Sequence, residues 1–263
     1  MKLLVDTHVH CYRHDDLPAL LNHAADNMRN SKDEEDFARV LFFTNSRLDN
    51  CWDYISKLAT SSTAIADWQF GYQDDFIIAA HLQLGDIYLA SARQVNTKER
   101  LELLLLGIED KVDDDLPAEH YINSYFHKAL VVCPWGVGKW LGQRAVVLKQ
   151  LQARMSDKFS LGDNGGRPSI WSWVPHFNEA KKQAKKILNG SDPLPIEGEL
   201  DRVGSFGVEL EIQSPLSLEN VLAELRNGQT ANFGSTMPLL AFLKKRYLLS
   251  TATTANPAFD TTV

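Results

Sequence analysis

Leu3-Leu4-Val5-Asp6-Thr7-His8-Val9-His10 is the stretch on which the reading of this chain turns. Lys2 to Val5 is an apolar run long enough for a buried strand, and two histidines one residue apart follow it at once. On an extended backbone, side chains at i and i+2 leave the same face. His8 and His10 therefore converge on one point at the C-terminal end of the strand. Two neutral imidazoles on one point make a grip for a divalent metal. Asp6 and Thr7 stand beside them, able to supply the hydrogen bonds that orient such ligands.

Outward from that strand the pattern alternates. Leu17, Leu20, Leu21, Ala24, Ala25 and Met28 fall at helical spacing. The charged stretch from Ser31 to Asp36 reads as a loop or helix end. Val40 to Thr44 reads as a second strand and Asp49 to Leu58 as a second helix. A β-α-β-α order predicts a parallel sheet. Phe76–His81 and Ile87–Ala92 read as a hairpin around Gly85-Asp86. Thr97 to Gly107, with its four-leucine run, fits a short helix or a strand equally well. Alternation resumes with a helix over Leu116–Lys128, a strand over Ala129–Pro134 and a helix over Lys139–Met155. Phe159–Asp163 is a strand, Pro175–Lys186 a helix, and Ile187–Asp192 the last clear strand.

At 263 residues the chain fits one (β/α) barrel or two small domains. Residues 1–249 are expected to form a single domain, and the Thr- and Ala-rich end, 250–263, a loose tail. The net charge of −7 argues against a broad nucleic-acid footprint, though not against a local basic pocket, and the expected partner is a small molecule with no nucleic acid. Cys11, Cys51 and Cys133 are scattered, with no Cys-x-x-Cys pair, as in a reduced cytoplasmic setting. The N-terminal apolar run is too short for a signal peptide. No segment approaches the ~18 apolar residues of a membrane span.

Val5-Asp6-Thr7-His8-Val9-His10 resembles the first-strand signature of the amidohydrolase superfamily, and also that of PHP-type phosphoesterases. Both are metal-dependent hydrolases on (β/α) barrels. The resemblance implies an α/β fold: a (β/α) barrel of the TIM type, distorted or with fewer than eight regular units. Gly190-Ser191-Asp192 resembles the amidohydrolase motif in which an Asp at the end of the last barrel strand binds metal. That Asp also takes the proton of the attacking water. The chain departs from the family at its middle strands, where histidines are usual and Pro134-Trp135 and Asp163 stand instead. The closing Asp-x-His of the PHP pattern is absent too, since Pro193 and Leu194 follow Asp192.

The expected metal ligands are then His8, His10 and Asp192, with Asp163, Glu102 and His81 as candidates to complete the set. Asp192 is the expected catalytic base. One or two ions of Zn, Mn or Fe suit such nitrogen and oxygen donors. Lys139 and Arg144 lie near a helix start after a strand, and Arg167 and Arg93 follow other strand ends. With Trp135 as a pocket wall, they are expected to hold a small anionic substrate. Three functions remain open: an amidohydrolase-type hydrolase, a PHP-type phosphoesterase, and a non-catalytic binding protein on a decayed hydrolase scaffold.

Overall fold

The computed structural model describes residues 1–31, 37–47, 49–213 and 215–255. The charged stretch read as a loop falls almost wholly outside them. The first strand, β1 (Lys2–Val9), is longer than its apolar run and carries His8 within it. Helix α1 (Leu17–Asn30) buries all six of the apolar residues that predict it, and its Pro18 sits in the first turn. β2 (Phe37–Asn45) and α2 (Cys51–Thr60) follow. Then come β3 (Ala64–Ile65), β4 (Trp68–Gln73) and β5 (Phe76–Ala80), an antiparallel ribbon that joins the sheet through β6 (Ile87–Asn96).

The ambiguous leucine run is a strand, β7 (Glu102–Leu106), antiparallel to β6. Regular units resume with α3 (Ala118–Tyr125), β8 (Leu130–Pro134), α4 (Gln143–Met155), β9 (Ser160–Asn164), α5 (Pro175–Lys182) and β10 (Ile187–Gly190). The chain does not end its sheet there. It adds β11 (Phe206–Glu211), α6 (Leu218–Asn227), β12 (Thr230–Gly234) and α7 (Leu239–Ala255). The expected tail from 250 is corrected in part. Its first six residues continue α7, and 256–263 lie outside the described residues.

The strand order β10-β9-β8-β7-β6-β2-β1-β11-β12 bends into a nearly closed barrel, a distorted relative of the TIM architecture. Seven strands of this path, β1, β2, β6, β8, β9, β10 and β12, run in one direction, whereas β7 and β11 run against them. Closure falls on β1. Its first half pairs with β11, and its second half meets β10, where Thr7 Oγ1 donates to Asn189 O and Asp192 N to His8 O. A β-carbon on Gly190 would lie 2.5 Å from that of His8, so only glycine lets these two strands touch.

The pleat sorts the core. Leu3, Val5, Val40, Phe42, Ala90, Ala92, Leu104, Leu106 and Val132 fill the barrel, and Val221 and Leu225 of α6 plug one end. Residues of opposite parity pack outward under α1 and α2, or under α3, α4 and α5. With one end plugged, the C-terminal ends of the like-directed strands form the open mouth. No helix among the described residues is long and apolar enough to cross a membrane, and the three cysteines are buried free thiols.

Candidate metal centre

At the mouth, the side chains that β1 and the turn after β10 deliver meet. His8 Nε2 and His10 Nε2 lie 3.0 Å apart. Asp192 Oδ1 lies 3.5 Å from the first and 3.9 Å from the second. A tetrahedral ion with bonds of about 2.0–2.1 Å has ligand–ligand edges of roughly 3.3 Å. The three separations bracket that edge, and these residues form the one cluster among those described with ligand spacing. Two nitrogens and one carboxylate oxygen fit a divalent ion and leave a coordination position open, as a catalytic site requires.

Burial and partners tune the three groups differently. Burial holds the His8 imidazole below its ordinary value. Burial pulls His10 down as well, but the Asp49 carboxylate, with Asp192 and Glu102, outweighs it and pushes the ring up to about 9. Burial disfavours the Asp192 carboxylate, yet His8, His10, Lys245 and Lys139 together hold it below the usual carboxylate range. The carboxylates around His10 and the cationic groups around Asp192 thus each favour the charged form of their neighbour.

Asp49 is the residue the sequence reading missed. Its Oδ2 lies 2.9 Å from His10 Nδ1, which fixes the tautomer and leaves Nε2 free to ligate. The Ser46 backbone N–H and hydroxyl hold Asp49 in turn. In sequence, Asp49 looks like the start of α2 and nothing more. Asp6 and Thr7, expected to orient the imidazoles, instead brace the backbone. Asp6 accepts the N–H groups of His8, Ser191 and Gly204. Asp49→Ala is expected to weaken metal affinity by about 10–100-fold at unchanged secondary structure. Competition with a fluorescent chelator checks this, and an unaltered affinity would remove Asp49 from the site.

Strand parity separates the remaining candidates. In β9, Gly162 and Asn164 are in register with Leu188 and Gly190 of β10, which face the interior. Asp163 therefore faces outward, and Arg167 clamps it bidentately at 2.8 and 2.6 Å. It is not a metal ligand, and Arg167 is committed to it. Asn164 faces in and donates to Asp192 Oδ2 at 2.7 Å and to Trp135 O at 2.9 Å. Arg93 pairs across from outward-facing Leu105, so it lies on the wrong face of β6 for the mouth. His81 ends β5, which runs against β6, and so sits at the far end of the barrel beside Trp68. Arg144 donates to Gly138 O and fastens its own loop.

Glu102 shares parity with Leu104 and Leu106. It enters the mouth because the reversed β7 begins there. It forms an ion pair with Lys139, and both line one cleft with Trp135, Asn164 and Asp192. Helix α7 adds Lys245 and Arg246 to the same cleft. Lys245 is paired with Glu199 at 2.5 Å, whereas Arg246 has no carboxylate partner among the described residues.

No family model matches the sequence, and no curated protein sequence does either. Solved structures do match. PsfC from Pseudomonas syringae PB-5123 superimposes with a TM-score of 0.64 at 13% identity, over 95% of this chain and 99% of that one. The lesion-specific endonuclease PfuEndoQ from Pyrococcus furiosus superimposes with a TM-score of 0.52 at 14% identity. This chain shares their fold. The second match takes in 88% of this chain and 58% of the endonuclease, so the chain spans little more than half of that protein's length. A nuclease on this barrel overturns the expectation of a small-molecule partner and no nucleic acid. Net charge is a sum over the whole surface and does not describe the charge at one cleft.

Proposed function

We propose that the chain is a metal-dependent hydrolase that cleaves phosphoester bonds in nucleic acid. The carrying observation is the convergence of His8, His10 and Asp192 at ligand distances, with His10 already set by Asp49. A divalent ion there would supply Lewis-acid polarisation and a more acidic water. The residues do the rest. The Asp192 carboxylate accepts the proton of the attacking water, Asn164 holds that carboxylate in place, and Lys139 and Arg246 meet phosphate oxygens as charged donors.

The cations in the cleft favour the phosphoesterase reading over the amidohydrolase one. The name of the Pyrococcus neighbour points the same way. A second, apolar cavity adjoins the cleft through Trp135 and Gly136, walled by Trp140 and Trp171. Trp171 meets Trp135 edge to face at 5.6 Å and is 39% exposed. An unstacked base would lie against such a wall.

The test is cleavage of labelled single- and double-stranded oligonucleotides, with and without an abasic site, after loading with Mn²⁺ or Zn²⁺. Cleavage that is lost with a chelator and weakens with salt is expected. Hydrolysis of amides with no oligonucleotide cut would overturn the proposal in favour of an amidohydrolase. Trp171→Ala should weaken single-strand binding by roughly 5–100-fold, as the loss of one stacked base predicts. Fluorescence anisotropy reads that change.

A further inference from the structure

Resting on the metal centre proposed above, we propose that the Lys139 ammonium stands where a second metal ion would sit. The mouth is then a one-metal centre with a tethered second cation. Two-metal hydrolases hold their ions about 3.5–4 Å apart across a shared ligand. Asp192 is the carboxylate able to bridge, with Oδ1 towards the histidines and Oδ2 towards the Asn164 amide at 2.7 Å. The carboxylate next in reach is Glu102, whose charge acts on both His8 and His10. Lys139 already lies against it, with the two side chains only 15% and 13% exposed.

The lysine arm is built in rather than draped. A β-carbon on Gly136 would come within 2.6 Å of Lys139 Cδ, so the stem packs on that glycine. The turn between them uses the positive φ of Gly138 to bring the chain into α4. Lys139, Arg202 and Lys245 each lie against a carboxylate at the mouth, and Arg246 in the same cleft has none among the described residues.

Elemental analysis of protein equilibrated with Mn²⁺ and then desalted provides the test. Wild type is expected to hold one ion per chain and Lys139→Ala two. Lys139→Arg, which keeps the charge, should stay at one, and Lys139→Ala with Glu102→Ala should return to one. Lys139→Met, close in shape to lysine, serves if the alanine variant melts early, and it should also take two. Two ions in the wild type, or one in both Lys139→Ala and Lys139→Met, would overturn this inference while leaving the metal centre standing. No ion in the wild type would remove the centre and this inference with it.

Discussion

Asp192→Asn is expected to abolish metal binding at the proposed centre and to slow the proposed hydrolysis by on the order of 10³–10⁴-fold, without unfolding the protein. The residue sits at φ 48°, in the left-handed region where Asp and Asn are tolerated and most side chains are strained. Asparagine therefore keeps the backbone, including the bond from the residue 192 N–H to His8 O that helps to close the barrel. What it removes is the negative charge between two imidazoles and the oxygen able to take a proton. Metal content and single-turnover cleavage at saturating Mn²⁺ measure both losses. A variant that keeps its metal and cleaves within tenfold of wild type would take Asp192 out of the chemistry. Asp192→Ala is a poorer probe, because it adds left-handed strain to the loss of charge.

Asp6→Ala is expected to have the largest effect on stability. The Asp6 carboxylate is fully buried and collects N–H groups from β1, from the turn after β10 and from the turn before β11. Removing it leaves three buried donors unpaired, a cost of about 3–5 kcal/mol in total. At ~2–4 °C per kcal/mol this lowers Tm by roughly 6–20 °C. Burial pushes this carboxyl up to about 6, against the pull of its hydrogen bonds. A folded value above the unfolded one means that the fold favours the protonated form. Wild-type stability from this group is therefore present below about pH 4 and lost as pH rises towards 6. The penalty of Asp6→Ala should thus be larger at pH 5 than at pH 7.5. Thermal melts of both proteins at the two pH values check the size and the sign. A penalty below ~1 kcal/mol at both would show that water satisfies the three donors.

The histidine pair and the late aspartate were legible because their signal is local: an apolar strand, then a ligand type at the strand end. The short range of that signal is also its limit. Asp163 ends a strand as convincingly as Asp192 does, but parity turns it outward, and parity is fixed by the neighbouring strand. Arg93 fails for the same reason. His81 fails because a hairpin, correctly read at Gly85-Asp86, reverses the direction of its strand. Glu102 reaches the mouth only because β7 runs backwards, and a four-leucine run carries no mark of direction. Asp49 and Lys245 act on residues far off in sequence. Lys245 also lies on α7, whose Leu240, Leu243 and Tyr247 are exposed, so no amphipathic pattern announces that helix.

Closure on β1 also sets a timetable for synthesis. β1 emerges from the ribosome before the other strands of the barrel, and β2 can pair with its one edge soon afterwards. The other edge must wait for residues 187–211. At ~5–20 residues per second, that leaves an apolar border uncovered for roughly 10–40 s. During that interval the uncovered edge of β1 offers a template for stray strands, and a holdase that shields it would raise the yield of native protein.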